Sequence, residues 1–263
     1  MTPTVAMPAV FIGHGTPMNA LDHNRYTEAW SSFAASIPRP RAILAVSAHW
    51  YINATAVTAM EMPKTIHDFI GFPEELFAMR YPAPGSPEIA GEISEVVKPT
   101  WVGLDHDSWG LDHGTWSVLV HMFPAADIPV LQLSIDASKP LEYHVALGAQ
   151  LSELRARGVL IVASGNVVHN LGILEWNQPE AGFDWAHDFN ETARGLMTEH
   201  PGEITRLRDH HAYRLAVPTA DHFLPLLYLA GLAGAADTGA EVLIDGYAYG
   251  SLSMTSYALA AAS

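Results

Sequence analysis

Short apolar runs rich in β-branched residues alternate with helical patterns along most of this chain. Runs of this kind favour buried strands, and segments such as Asn24–Ser36 and Lys139–Arg157 favour helices. The alternation predicts an α/β fold with a largely parallel central sheet flanked by helices. The predicted strands are Ala9–Ile12, Ala42–Val46, Ala54–Ala59, Val130–Ser134, Val159–Ala163 and Glu241–Ile244. The other predicted helices are Phe183–His200, Ala220–Leu232 and one that opens at Ser86 and Pro87.

Length and charge narrow the class of protein. The 263 residues are 49% hydrophobic, and no linker-like segment divides them, so we expect a single domain over residues 1–263. Lysine and arginine number 13 against 28 acidic residues, which gives a net charge of -15. This charge repels phosphate backbones and anionic membrane surfaces, so we expect neither a nucleic-acid nor a membrane partner.

The chain contains no cysteine, which excludes disulfides, iron–sulfur clusters and thiolate zinc sites. Any bound metal must therefore be held by nitrogen and oxygen ligands. The N-terminal segment has no positive charge before its first apolar run, and no apolar stretch approaches the roughly 20 residues that span a bilayer. These features predict a cytoplasmic protein.

Four histidines stand where predicted elements begin or end. His14, His49 and His169 follow predicted strands, and His222 opens a predicted helix. Because the carboxyl ends of parallel strands meet at one edge of a sheet, these side chains can converge there. Neutral imidazole is a common metal ligand. The pattern therefore predicts a mononuclear metal site at one edge of the sheet.

The local sequence supports these candidates. His14 lies between two glycines, so we expect a sharp turn that projects the imidazole. A helix N-terminus disfavours imidazolium, which would keep His222 neutral for metal binding. His169 could be either a ligand or a free acid–base group, and the residues leave both roles open.

Other candidates are weaker on local grounds. His113 precedes an apolar helical pattern and resembles His14 in its setting, whereas His67 and Asp68 fall in a loop. Nearby carboxylates are expected to hydrogen-bond to the histidines rather than to bind metal; they are Asp22, Asp105, Asp112 and Asp221. The serine-hydrolase, P-loop and HExxH motifs are absent.

Six short segments occur in a fixed order along the chain: GHGTPMNAL, SAHW, TIHDF, DHGTW, SGNVVHN and GSLSM. Together they resemble the class III extradiol ring-cleavage dioxygenases of the LigB-like family, and most closely the 4,5-DOPA extradiol dioxygenase branch. The resemblance runs from about Phe11 to Met254, which is nearly the whole chain.

The resemblance implies roles for five histidines. His14, His49 and His222 match metal ligands of the family, the last at a position that protocatechuate-cleaving relatives fill with glutamate. His169 matches an active-site histidine that is catalytic or, in zinc-bound forms, a fourth ligand. His113 matches a second histidine of the pocket. Fe(II) is the metal expected for activity, and Zn(II) is a competing occupant of purified protein because imidazole sites bind it more tightly.

The implied reaction inserts both atoms of O2 into a catechol such as DOPA and gives a ring-opened muconic semialdehyde. His169 would move the catechol proton, and His113 would hydrogen-bond to oxygen. We expect aromatic pocket walls from Trp50, Tyr51, Phe69, Phe72 and Trp109. A zinc-dependent hydrolase and a non-enzymatic binding protein stay open as alternatives. We expect a monomer or a small homo-oligomer.

Overall fold

An eight-stranded sheet forms the centre of the computed structural model, which describes residues 6–261. The strands are β1 (Ala9–Gly13), β2 (Ala42–Ile52), β3 (Ala56–Thr58), β4 (Gly103–Asp105), β5 (Val130–Asp136), β6 (Val159–Gly165), β7 (Glu241–Ile244), β8 (Tyr247–Ala248), β9 (Leu252–Ser253) and β10 (Ser256–Leu259). The order in the large sheet is β4-β3-β5-β2-β6-β1-β10-β7, and β8 and β9 form a separate pair.

Helices connect most of these strands. The α-helices are α1 (Arg25–Ser36), α2 (Glu74–Ala78), α3 (Pro87–Val96), α4 (His113–Met122), α5 (Leu141–Gln150), α6 (Ser152–Ala156), α7 (Asp184–Glu199), α8 (Tyr213–Ala216) and α9 (Leu224–Ala235). Short 3-10 helices cover Pro17–Ala20, Leu171–Ile173 and Pro201–Asp209. Side-chain caps mark several helix starts: Asn24 caps α1, Ser86 caps α3 and Asp112 caps α4.

The middle of the sheet is parallel. Strands β5, β2, β6 and β1 run in one direction, which confirms the predicted α/β fold with a largely parallel sheet. Antiparallel pairs occur only towards the edges, where β3 meets β5 and β10 lies between β1 and β7. The carboxyl ends of β1, β2 and β6 therefore lie side by side at one edge of the sheet.

Both faces of the sheet are buried. In β1, Ala9 and Phe11 pack into one core with α5 and α9, whereas Val10 and Ile12 pack into a second core with α1 and α4. Successive side chains of a strand point to opposite faces, so a strand covered on both sides reads as a continuous apolar run. This is why the central strands are visible in the sequence.

Some elements differ from the prediction. The predicted helix over 139–157 is two helices, α5 and α6, which meet at the buried Leu151. The predicted helix over 220–232 begins later, at Leu224, so His222 lies in the turn before it. Strand β10 is not predicted, because its four residues include serine and alanine and give no strong apolar run.

Within residues 6–261, no helix is long and apolar enough to cross a membrane. Helix α9 is apolar on every side, but it has 12 residues and lies in the centre of the protein.

The contact between α5 and α9 leaves no room for a methyl group. A Cβ at Gly148 would lie 2.4 Å from the carbonyl oxygen of Tyr228. We expect Gly148→Ala to lower the free energy of unfolding by about 1–3 kcal/mol, the usual cost of overpacking, in a urea titration. Gly195→Ala on α7 is the control, because it meets no atom within 4 Å and should stabilise by up to about 1 kcal/mol. Equal effects of the two changes would contradict this packing.

Candidate metal and active site

Five histidines line one cavity at the carboxyl edge of the sheet. They are His14, His49, His113, His169 and His222. The cavity has a volume of about 710 Å³, which falls in the range of roughly 300–1,000 Å³ found for small-molecule sites. The structure thus brings together the five histidines to which the family resemblance gives roles, whereas His67, the weaker loop candidate, is not part of the lining.

His14 directly follows β1, and its backbone N–H donates to the Gly165 carbonyl at 3.1 Å. Gly15 then adopts a φ of +66°, which turns the chain sharply. The Nδ1 atom of His14 lies 2.9 Å from the Ser164 hydroxyl, which itself donates to the Gly114 carbonyl at 2.5 Å. Because that hydroxyl has one proton, its oxygen accepts from His14. Nδ1 of His14 is therefore protonated, and Nε2 presents a lone pair.

His49 lies within β2 rather than after it. Strand β2 continues to Ile52 but pairs with β6 only as far as Ser47, and its register with β5 shifts after Val46. Such irregularities are common beside active sites, where they redirect a side chain. Here the irregular stretch carries His49 into the cavity.

Asp68 holds two of the histidines at once. One carboxylate oxygen accepts from Nδ1 of His49 at 3.1 Å, and the other accepts from Nδ1 of His113 at 2.9 Å. Burial acts to raise the pKa of Asp68, but the bonds from His113 and His49 outweigh it and hold the pKa well below its usual range. Asp68 therefore stays ionised and fixes a proton on Nδ1 of each ring, so that in the neutral rings both Nε2 atoms are lone-pair donors.

His222 is held in a similar way. Its carbonyl accepts from the Asn166 backbone at 2.8 Å, which ties this turn to the end of β6. Asp221 accepts from Nδ1 of His222 at 2.6 Å. Burial lowers the pKa of His222 to about 4 although Asp221 opposes this change. The ring is therefore neutral at physiological pH, with its lone pair on Nε2.

His169 differs from the other four histidines. Its ring stacks on His222, with the centroids 3.5 Å apart and the planes 2° apart. Burial, followed by the nearby His222, lowers the pKa of His169 to about 2. No carboxylate or hydroxyl of residues 6–261 fixes its ring nitrogens, so the structure gives it the freedom to exchange a proton.

The Nε2 atoms of His14 and His49 lie 3.3 Å apart. Burial acts to lower the pKa of His49, but Asp68 and Asp112 outweigh it and raise the pKa, so without a metal its Nε2 can hold a proton that His14 accepts. When both rings are neutral with their protons on Nδ1, the two Nε2 lone pairs face each other, and a metal ion can replace that shared proton. A tetrahedral metal with bonds of about 2.0–2.1 Å holds two nitrogens about 3.3–3.4 Å apart. The chemistry of this pair and its spacing both fit a metal ion.

Two histidines could supply the third nitrogen. Ligand nitrogens of His14, His49 and His113 lie within 4.8 Å of one another, which favours His113. Ring spacing favours His222: the centroids of His14, His49 and His222 are 5.2, 5.3 and 5.0 Å apart. His113 lies 3.9 Å from His49 but 5.8 Å from His14. The ring spacings keep His222 as a candidate third ligand, but its ligand atoms are not part of the 4.8 Å group that His14, His49 and His113 form.

The family model for the catalytic LigB subunit of aromatic ring-opening dioxygenase matches residues 8–260. The chain belongs to the LigB family. A protein of Escherichia coli (strain K12) named 4,5-DOPA dioxygenase extradiol is 48% identical over 256 residues, which cover 95% of this chain and 93% of that protein. One of the same name from Beta vulgaris is 36% identical and covers 94% of each chain.

A solved structure agrees with the fold. The crystal structure of an uncharacterized protein from Escherichia coli K12 matches with a TM-score of 0.84 and 43% sequence identity, covering 97% of this chain and 100% of that one. Together the comparisons confirm the predicted family and its enzyme class, extradiol dioxygenase. The family implies a metal cofactor, a small-molecule substrate and O2.

The predicted pocket walls of this LigB protein are correct only in part. Phe69 and Phe72 line the cavity, whereas Trp50, Tyr51 and Trp109 do not. Trp50 and Trp109 instead stack on each other, with centroids 5.8 Å apart. The prediction is wrong for Trp50 because neighbouring residues of a strand point to opposite sides, and His49 points into the cavity. Residues in short segments without a periodic signal supply further walls: Leu171, Leu174, Trp176 and Tyr249.

The four aspartates that were expected to hydrogen-bond to the histidines have different partners in the structure. Asp221 bonds to a site histidine, whereas Asp105 accepts from the backbone of Ser108 at 2.9 Å in its own loop. Asp112 is buried and accepts from the Ser47 hydroxyl at 2.7 Å, and Asp22 lines the cavity. Asp68, a weak loop candidate in the sequence, is the carboxylate that organises two histidines.

A second group of possible ligands on the surface does not fit a metal. It consists of Asp188, His210 and His211, whose ligand atoms lie within 4.8 Å of one another. The backbone N–H of Ala212 donates to Nδ1 of His210 at 3.1 Å, so the proton of the neutral ring is on Nε2. That Nε2 faces Asp188 at 3.3 Å as a hydrogen-bond donor and has no lone pair for a cation.

The double role of Asp68 can be tested with Asp68→Asn. An amide has one accepting oxygen, so His49 or His113 loses the acceptor for its Nδ1 proton. We expect the affinity for Fe(II) or Zn(II) to fall about 10–100-fold in a chelator competition, as for other changes beside metal ligands. Asp22→Asn removes the same charge from the same cavity lining and should retain wild-type affinity. Wild-type affinity in Asp68→Asn would contradict the role of Asp68.

Proposed function

We propose that this LigB protein cleaves catechols, with DOPA as a substrate, by extradiol insertion of both atoms of O2 to give a ring-opened muconic semialdehyde. The observation that carries the proposal is the pair of facing Nε2 atoms of His14 and His49, 3.3 Å apart in a cavity of substrate size. A relative that is 48% identical bears the name 4,5-DOPA dioxygenase extradiol, which supports DOPA as the substrate.

We propose His14, His49 and His222 as the ligands of a divalent metal, each through Nε2, with His169 as the alternative fourth ligand. Fe(II), when bound, would supply the redox chemistry that O2 requires, which Zn(II) cannot supply. Three imidazoles leave the charge of the ion uncompensated, which favours an anionic catecholate. The carboxylates of Asp68 and Asp221 moderate that charge through the outer ring nitrogens.

His169 is proposed as the main acid–base group. Its neutral ring would accept the proton of a catechol hydroxyl on a ring nitrogen and return it later. Burial makes the free ring a weak base, but a catecholate in the cavity would favour the imidazolium because a nearby negative charge raises the pKa of histidine. The absence of a fixed partner within residues 6–261 leaves both ring nitrogens available for this transfer.

His113 is proposed as a second proton-transfer group. Asp68 holds the Nδ1 proton, so Nε2 of neutral His113 accepts a hydrogen bond. Once protonated, the same nitrogen donates, and Asp68 stabilises the charge. Phe69 and Phe72 would pack against the catechol ring and limit the access of water. One domain over residues 1–263, a cytoplasmic location and a monomer or small homo-oligomer stay predictions.

The test is an oxygen-electrode comparison of protein reconstituted anaerobically with Fe(II) or with Zn(II). With L-DOPA and 4-methylcatechol, the Fe(II) form should consume one O2 per ring opened and form a yellow product. The Zn(II) form should consume none, because zinc has no accessible redox change. Equal activity of both forms, or no uptake by the Fe(II) form with any catechol, would refute the proposal and favour the hydrolase or binding-protein alternatives.

His169→Ala separates the acid–base role from a ligand role. We expect the variant to keep its Fe(II) content, measured by elemental analysis, while turnover falls about 100-fold or more, the scale of a positioned proton-transfer group. His187→Ala, outside the cavity, is the control and should match the wild type in both measurements. Loss of iron together with activity would make His169 a ligand and move the acid–base role to His113.

A further inference from the structure

Tyr249 has a backbone conformation that tyrosine rarely adopts. Its φ is +53°, and Gly250, which follows it, has a φ of +83°. Both residues lie at the tip of the hairpin formed by β8 and β9. Glycine takes this left-handed region freely and asparagine tolerates it, whereas a bulky side chain there costs free energy.

Backbone hydrogen bonds hold the hairpin tip in this conformation. The carbonyl of Tyr249 accepts from Glu175 at 2.8 Å, and Gly250 donates to Ala181 at 2.8 Å and accepts from Phe183 at 2.8 Å. Strained residues persist where their surroundings fix them, and they concentrate at ligand sites. The strain at Tyr249 is thus maintained by the segment that leads into α7.

The side chain of Tyr249 lines the cavity that contains the five histidines. Its ring lies 5.0 Å from that of Trp176, which is 70% exposed and lines the same cavity. Leu252, on the other arm of the hairpin, forms a β-bridge with His169. The hairpin therefore connects the exposed wall of the cavity to the histidine cluster.

We propose that Tyr249 is a specificity-determining residue that contacts the ring substituent of the bound catechol. This inference rests on the proposed function. Because the two catechol hydroxyls must face the histidines, a substituent on the far side of the ring points towards the exposed wall. The Tyr249 ring packs on this substituent, and its hydroxyl hydrogen-bonds to a polar group there.

The charge of the lining indicates which substituent fits. Within residues 6–261, no lysine or arginine lines the cavity, so the carboxylate of DOPA finds no cation in the lining and recognition of its side chain falls to the amine. Asp22 and the two aromatic rings of Tyr249 and Trp176 suit an amine instead, since aromatic faces and carboxylates attract cations. We infer that the preferred substituent bears an amine.

The test uses metal-loaded protein and two probes, L-DOPA and 4-methylcatechol, with dissociation constants from anaerobic calorimetry and KM from oxygen uptake. Tyr249→Asn keeps a residue that tolerates a positive φ but removes the ring, so Tm should stay within about 2 °C of the wild type or rise. The affinity for L-DOPA should fall about 10-fold, as for the loss of a ring contact. In Tyr249→Phe the preference for L-DOPA over 4-methylcatechol should fall about 5-fold, the scale of one hydrogen bond.

Asp237→Gly is the matched control, because Asp237 has a φ of +51° outside the cavity lining. It should raise Tm without a change in either dissociation constant. The inference would be overturned if both Tyr249 variants kept the wild-type affinity and the wild-type preference between the two probes. It would also be overturned if Tyr249→Asn had a lower Tm while Tyr249→Phe kept the wild-type preference. Wild-type protein that binds L-DOPA but takes up no O2 would refute the proposed function, while calorimetry would still decide the role of Tyr249.

Discussion

The two Nε2 atoms of His14 and His49, which face each other at 3.3 Å, are the constraint on which the rest of the site depends. They face each other because Ser164 and Asp68 hold the protons of these rings on Nδ1. Without a metal a proton on His49 can bridge the two nitrogens, because Asp68 helps to raise the pKa of His49; with a metal ion they are a pair of ligands already in place. The surrounding hydrogen bonds therefore build a metal site before any metal arrives.

The fold supports this arrangement by placing the ends of parallel strands together. The ladder between β1 and β6 continues to His14, and the same end of β6 anchors the turn that carries His222. Strand β2 departs from its regular pairing where it must deliver His49. Gln132 donates to the buried carboxylate of Asp112, so this charge has a partner inside the protein.

The sequence predicts the central strands and the five histidines well, because strands buried on both faces are strongly apolar and the histidines lie close to the ends of strands or the starts of helices. It does not reveal that Asp68 bridges His49 and His113, since that contact joins distant segments through a loop without periodicity. Neither the packing of Trp50 away from the cavity nor the positive φ of Tyr249 is visible in the local sequence. The first depends on how far strand β2 extends. The second depends on hydrogen bonds to segments that are distant in the sequence.

The most direct test of the metal site is anomalous diffraction at the iron edge from crystals loaded with Fe(II) under anaerobic conditions. The account predicts one strong peak between Nε2 of His14 and Nε2 of His49, about 2.0–2.3 Å from each nitrogen, with Nε2 of His222 as the third ligand. A peak bound by His113 instead of His222 would correct the third ligand. A cavity without a peak, or iron only beside Asp188, His210 and His211, would contradict the central claim.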